Sequence, residues 1–436
     1  MFLYYVDLAW RSIKKTPILS LLMVLAISVG IGITITTLNV YSMMAFNPAG
    51  DRAERLNTVQ LWSQGPDSWD DFHSLVTYQD AMNLRKGKQA SEQAAMFRSG
   101  MAVQIDDPEV LPSLNGVRVT DSGFFNLFEV PFIYGNSWGK SVDEQAAFQA
   151  VIGKKLNQKL FGGDNSVGKT IYLNRKPYQV VGVIDDWNPQ PKYYDPTSGA
   201  FSKAEQIYIP FSLAASEEFS IWGNMSGWKY ERLNGYQERL ASEKVWLEFW
   251  VDLPTAEDRQ SYKRYLSQYV EQQKELGRFT DGKLAAESAQ LSNVDAWLER
   301  NHVVPEDNKI LLGLSALFLS VCLVNILGLM LTKFLKRAPE VGVRRAIGAS
   351  RGQIFSQYMV EVGVIGLFGG LIGLAWAWGA LYGLSARFGV AEGLTHLSLS
   401  MWLITPAIAV GTAMLAGLYP AWVVCRTKPS VYLKSQ

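Results

Sequence analysis

The sequence predicts a membrane protein with four transmembrane α-helices, arranged one plus three, and a large α/β extracytoplasmic domain inserted between helices one and two. Three observations lead there. Ile18–Phe46, Leu311–Thr332, Val362–Ala386 and Gly393–Cys425 contain no Asp, Glu, Lys or Arg, and about 20 apolar residues suffice to cross the hydrocarbon core. The first of these stretches is separated from the other three by a long, mostly polar segment. Charge is also divided unevenly along the chain, although the total is only +1.

That division sets the topology. Arg11, Lys14, Lys15, Lys333, Lys336, Arg337, Arg344, Arg345, Arg351, Arg426, Lys428 and Lys434 flank the spans, against only Asp7 and Glu340. Short Lys/Arg-rich loops stay in the cytoplasm. Both termini and the loop 333–355 are therefore expected inside, and Asn47–Lys309 and the turn near Arg387–Gly393 outside. The outer segment carries 28 Lys+Arg and 36 Asp+Glu.

Ile18–Phe46 is far longer than the apolar core of a signal peptide, about 7–15 residues, and no small-x-small site follows it. It reads as an uncleaved helix. At about 1.5 Å per residue it overshoots a bilayer core of about 30 Å, so a projecting stalk is expected. Before it, Phe2, Tyr5, Val6, Ala9, Trp10 and Ile13 share one helical face, and Asp7, Arg11, Lys14 and Lys15 the other. This suits a helix lying in the inner headgroup layer, with Trp10 at the interface; the alternative is the first turns of a tilted span.

Several chemistries are disfavoured. Cys322 and Cys425 fall in or beside spans and read as small packing residues. His73, His302 and His396 are scattered, with no zinc-like spacing. No nucleophile–base set stands out, no cofactor is expected in this chain, and no nucleic-acid partner is expected. Gly163–Thr170 matches the phosphate-loop pattern G-x-x-x-x-G-K-[ST] letter for letter. A phosphate loop needs a strand before it and a helix after it. Here Lys154–Phe161 reads as a helix, and Thr170–Ile184 as two strands around a turn at Asn174–Pro177, so a structural turn is expected instead.

Within the outer segment, Val117–Val119, Ala150–Ile152, Ile171–Leu173, Tyr178–Ile184 and Ile207–Ile209 read as strands, and Tyr78–Arg85, Lys154–Phe161 and Arg259–Leu276 as helices. An α/β domain in two lobes is expected. Asp186–Pro196, rich in Pro and aromatics, reads either as a docking surface or as local packing.

The loop 333–355 has the best-defined signature: Lys336-Arg-Ala-Pro-Glu340-Val-Gly342-Val-Arg344-Arg345-Ala-Ile-Gly348-Ala-Ser350. Pro339 and Glu340 suit a helix start and Gly348 a helix end, predicting a short surface helix over Glu340–Ile347 that presents Glu340, Arg344 and Arg345 to the cytoplasm. The run resembles the coupling-helix region of the MacB/FtsX-like family of ABC transporter permeases. Asp7–Pro17, Gln357–Glu361 with Gly369–Gly373, and Gly417–Trp422 resemble other parts of the same family. Gly116–Phe125 and Phe161–Ile171 are similar to its periplasmic core.

The resemblance implies a cytoplasmic amphipathic segment (1–17), helix one with its stalk (18–46), a periplasmic core in two lobes (47–309), helix two (310–332), a coupling loop (333–355), helix three (356–386), helix four (394–425) and a cytoplasmic tail (426–436) in the inner membrane. It implies ATPase coupling through Glu340, Val341, Gly342, Arg344, Arg345 and Gly348. It also implies a separate ABC ATPase subunit that binds ATP, a second permease subunit (identical or paralogous), and a periplasmic adaptor with an outer-membrane channel for efflux of a drug, peptide or other small product. Lipoprotein release and mechanical control of a cell-wall hydrolase are the alternatives. The sequence departs from the family at Val431–Lys434, and Ser220–Gln290 shows no matching motif.

Gly366/Gly370, Gly369/Gly373 and Gly379/Gly383 form small-residue pairs for close helix packing, either within one subunit or between two. Glu361, near the inner edge of span three, is expected at the headgroups or bonded to Gln357. The near absence of ionisable groups in the spans argues against a polar route through them.

Overall fold

The computed structural model describes residues 2–65, 72–280, 283–388, 397 and 399–426. The predicted start of span four at Gly393, His396 and the tail beyond Arg426 lie outside the described residues. The chain divides into two compact units, 1–45 with 304–436, and 46–303.

In chain order the elements are α1 (Phe2–Lys15), α2 (Pro17–Ala45), β1 (Leu56–Leu61), β2 (Val76–Thr77), α3 (Tyr78–Gly87), β3 (Glu92–Gln104), β4 (Ser113–Thr120), α4 (Gly123–Leu127), β5 (Phe132–Gly135), α5 (Lys140–Gln145), β6 (Gln149–Gly153), α6 (Lys154–Phe161), β7 (Thr170–Leu173), β8 (Lys176–Ile184) and β9 (Ile207–Pro210). There follow α7 (Leu213–Glu217), α8 (Tyr236–Leu240), β10 (Val245–Asp252), α9 (Ala256–Glu275), β11 (Ala289–Asn293), α10 (Val294–Arg300), α11 (Glu306–Lys336), α12 (Ala338–Ala346), α13 (Arg351–Phe388) and α14 (Leu399–Arg426).

The inserted unit is built on one connected mixed sheet, in the order β11-β1-β10-β3-β4-β9-β6-β8-β5, with β2 on β10 and β7 on β3 and β8. Where two lobes are expected, hydrogen bonding thus runs unbroken across the unit, and what is double is its pair of apolar faces. Side chains alternate across a strand. Ala95, Phe97, Met101 and Val103 of β3, Val117 and Val119 of β4 and Leu247, Phe249 and Val251 of β10 enter one cluster. Ala94 and Met96 of β3 and Trp250 of β10 enter the other, with Phe124, Phe128, Tyr194 and Trp297. The Pro- and aromatic-rich segment belongs to this second face. Tyr193 and Tyr194 are buried, and their carbonyls accept from Trp297 Nε1 and Trp250 Nε1, each at 3.1 Å. Packing, not an exposed docking surface, is what these aromatics provide.

The phosphate-loop lookalike is a turn between α6 and β7. Gly162, Gly163 and Gly168 all take positive φ, which glycine adopts without a Cβ penalty. Gly168 N–H donates to the Val180 carbonyl at 2.8 Å and Lys169 N–H to the Ser166 carbonyl at 3.0 Å. These amides are held by protein carbonyls, not left facing a phosphate.

In the other unit, α2, α11, α13 and α14 are each long and apolar enough to cross a membrane. The glycines of α13 lie on two of its faces. A Cβ at Gly369 would meet Ile27 of α2 at 2.5 Å, and one at Gly373 the Ser28 carbonyl at 2.9 Å. At Gly366 it would meet Ala413 and the Ala409 carbonyl of α14 at 2.8 and 2.9 Å, and at Gly370 the Ala409 Cβ at 2.6 Å. Both pairs are occupied by packing within this chain, whereas Gly379 and Gly383 have nothing within 4 Å. Gly366→Ala is therefore expected to destabilise the detergent-solubilised protein by about 1–3 kcal/mol, because the clash includes backbone. Gly379→Ala is expected to leave the melting temperature unchanged or raised; equal losses from both would refute this packing.

Candidate functional site

The coupling-loop helix forms as its sequence directs, with shifted limits. Expected over Glu340–Ile347, α12 runs from Ala338 to Ala346. Arg337 is the joint, ending α11 and preceding α12. Pro339 occupies the first turn, where its missing N–H costs nothing. Gly348 follows at φ +111°, and the Ala349 amide turns back to the Arg344 carbonyl at 3.0 Å, satisfying an end carbonyl.

The charged residues of α12 do not simply face outward. Glu340 accepts from Arg344 Nη2 at 2.9 Å and from Arg337 Nη2 at 3.2 Å. Arg344 Nη1 donates to Gln357 of α13 at 2.9 Å. Arg345 Nη1 reaches the Cys425 carbonyl of α14 at 3.4 Å. Val341 and Gly342 are buried against the bundle. The exposed residues are instead Pro339, Val343, Ala346, Ile347 and Gly348, with Val343 47% and Ile347 81% exposed. The cause is the amphipathic period: charges three and four residues apart fall on the side that offers them partners on α13 and α14. Burial pushes the Glu340 carboxyl up, but Arg337, Arg344 and Lys15 outweigh it and hold the group below the ordinary glutamate range. A carboxyl so depressed stabilises α12 above that range and loses the effect as pH falls through it.

Behind α12 lies a feature read differently from the sequence. Where the sequence leaves Glu361 at the headgroups or bonded to Gln357, its side chain is fully buried within the bundle, and Gln357 accepts from Arg344 instead. Glu361 Oε1 accepts from Lys333 Nζ at 2.7 Å and from Ser12 Oγ at 2.5 Å, and its Oε2 lies 3.4 Å from Arg337 Nη1. Lys333, also fully buried, donates to Ser20 Oγ at 2.9 Å. Arg337 Nη1 donates to Ser12 Oγ as well. Together with the Arg344–Gln357 and Arg345–Cys425 bonds, polar contacts join α1, α2, α11, α12, α13 and α14 at one end of the bundle. From the sequence, Lys333 counts only among the topology-setting charges. The available signal was a Lys and an Arg one turn apart leaving span two, level with an acid entering span three.

Residues 20–269 match the MacB-like periplasmic core domain, and residues 312–429 match the FtsX-like permease C-terminal domain. The chain belongs to the MacB/FtsX-like family of ABC transporter permeases. It is 28% identical over 324 residues to the pyoverdine export ATP-binding/permease protein PvdT of Pseudomonas syringae pv. tomato, covering 72% of this chain and 42% of that protein. It is 21% identical over 382 residues to the macrolide export ATP-binding/permease protein MacB of Escherichia coli K12, covering 84% of this chain and 51% of MacB. The permease thus spans about half the length of the curated relatives it matches. Among solved structures it is similar to the periplasmic region of MacB from Actinobacillus actinomycetemcomitans (13% identity, TM-score 0.37, 59% of this chain and 96% of that one). It is also similar to the extracellular domain of the ABC-type transporter YknZ from Gram-positive bacteria (15% identity, TM-score 0.32, 54% and 100%).

Glu361→Ala in this permease leaves the Lys333 ammonium buried without its carboxylate, and a loss of about 3–5 kcal/mol is expected. Replacing both, as Lys333→Met with Glu361→Leu, should recover most of that stability, since an apolar pair needs no desolvation compensation. Thermal unfolding followed by size-exclusion chromatography measures both; a double variant no more stable than Glu361→Ala would contradict the pairing.

Proposed function

We propose that this permease transmits ATP hydrolysis by a separate ATPase subunit to its inserted domain, which lies in the periplasm of an inner-membrane protein. The observation that carries the proposal is α12, a short helix tied by charged hydrogen bonds to α11, α13 and α14 that turns Val343 and Ile347 outward. A small apolar face on a rigid mount suits insertion into a groove of a partner, and side chains in such centres dominate binding. Glu340, Arg344 and Arg345 then orient the helix and rim the contact, while Val341, Gly342 and Gly348 shape it. Two such subunits, identical or paralogous, pair so that closing of their nucleotide-bound ATPases pushes on both coupling helices.

The work delivered outside is efflux of a drug, peptide or other small product through a periplasmic adaptor and outer-membrane channel. Support comes from the family membership and from two relatives named for export. Among the described residues the inward-facing side chains of the spans are chiefly apolar or small, with ionic groups gathered at one end. A mechanical role suits that interior better than a polar path does.

A pull-down of the tagged full-length permease from gently solubilised membranes tests this, with co-purified proteins identified by mass spectrometry. Recovery of an ATPase, an adaptor and an outer-membrane channel is expected. Val343→Asp with Ile347→Asp should remove the ATPase and leave membrane insertion intact, as should Arg344→Glu with Arg345→Glu. Undiminished ATPase recovery in both double variants would refute docking at α12; lipoproteins or a cell-wall hydrolase in place of the adaptor would move the function to release or to mechanical signalling.

A further inference from the structure

Docking at α12 does not account for α1. As an amphipathic helix lying on a membrane, α1 needs no buried polar contact, yet Ser12 is fully buried. Its hydroxyl donates to Glu361 Oε1 at 2.5 Å and accepts from Arg337 Nη1. A hydroxyl has one proton and two lone pairs, so Ser12 joins a carboxylate of α13 to the guanidinium at the α11–α12 joint. The same end of α1 is fixed by packing. Ala9 is fully buried, and the Trp10 ring lies 6.0 Å from that of Phe368 on α13.

Arg337 is held from two sides. On one side Glu340 of α12 takes its Nε and Nη2, at 3.3 and 3.2 Å. On the other, Ser12 and Glu361 take its Nη1. A tilt of α12 about this joint must move Arg337 relative to Glu361 or relative to Glu340. The hydrogen bonds involved are charge-assisted, and those to Ser12 and Glu361 are sheltered from water, where such bonds are strongest and most dependent on direction.

We propose that Ser12 and Glu361 are positioning residues for the coupling helix. They set the tilt of α12 through Arg337, so the amphipathic N-terminal helix is a working part of the coupling device. The consequence for coupling rests on the reading of α12 as the ATPase seat; the positional role itself does not.

Hydrogen exchange by mass spectrometry on the full-length permease in lipid nanodiscs tests the positional role, with Ser12→Ala as the variant. Ser320→Ala, whose hydroxyl bonds the Ala316 carbonyl of its own turn, is the control. Amides of α1 and of α12 should exchange about tenfold faster in Ser12→Ala, and those of α14 should not change. Ser320→Ala should match the wild type. In the complex with its ATPase, ATP turnover per bound ATPase should fall by about threefold in Ser12→Ala, while the amount of bound ATPase changes little. Loosening of α1 without α12, or unaltered exchange in both, overturns the proposal. Faster exchange in α12 with unaltered turnover overturns the link to coupling. A wild-type permease that binds no ATPase sinks the preceding functional reading instead, and exchange at α12 still decides the role of Ser12.

Discussion

A carboxylate and an ammonium, each without accessible surface, sit among apolar helices at one end of the bundle. Several kilocalories per mole oppose burying either ion alone, so Glu361 and Lys333 fix each other, and with them the depth of α13 relative to α11. The remaining valences are met in turn. Lys333 finds Ser20, and Glu361 finds Ser12 and Arg337. Apolar packing around the pair does not determine register this strictly, because a Leu or Ile tolerates small slides that a charged hydrogen bond does not. The pair thereby gives α12 a defined mount.

The inserted domain obeys the same constraint. Register places Arg118 of β4 and Glu248 of β10 on the face that carries the second aromatic cluster. Arg118 is fully buried and contacts Asp195, Glu205 at 3.0 Å and Glu248 at 3.2 Å, while Lys192 reaches Glu205 at 2.6 Å. Burial pushes the carboxyls of Asp195 and Glu205 up, but Arg118 and Lys192 outweigh it. Asp195 is left well below the carboxylate range and Glu205 at about 2. For Glu248, burial and the neighbouring Asp195 act together and push its carboxyl well above the usual range. The three acids are thus pushed apart, as closely spaced buried carboxyls are when they share the same cations. This cluster holds the segment around Lys192–Asp195 onto the sheet, and with it Tyr193 and Tyr194.

Legibility in the sequence followed the length scale of each signal. The spans, α12, α6 and the turn after it rest on contiguous residues, and all of them were visible. The two central strands β3 and β10 were not. Ala94, Ala95, Met96 and Ala102 in β3 are helix-favouring or neutral, and their strand state comes from neighbours on both sides. Strand β10 is buried along its whole length, so it lacks the alternation that marks a half-exposed strand. The candidate site was legible as a helix and illegible as a network. Ser12 and Glu361 lie 349 residues apart, and nothing local to either assigns the partner. Charge and spacing alone leave Glu361 at the headgroups or bonded to Gln357, because a lone acid at a span edge is cheapest where water or a local partner can meet it.

The bundle is packed unevenly, and that bears on the proposed transmission of force. Gly366, Gly369, Gly370 and Gly373 bring α13 against α2 and α14 at distances where an added methyl would clash. Three helices interlocked through backbone resist sliding, because any slide must first separate them. Helix α11 differs. Only 11% of its apolar window is buried, against 44–50% for the others, and Leu311, Leu314, Leu317, Val321 and Val324 are all at least half exposed. Yet α11 runs directly into Arg337 and α12 at one end, and the chain enters it from the inserted domain at the other. It therefore has the fewest contacts to break while joining the proposed input to the proposed output. In the proposed pair of subunits, the open face of α11 is the surface left for acyl chains or the second subunit to fill.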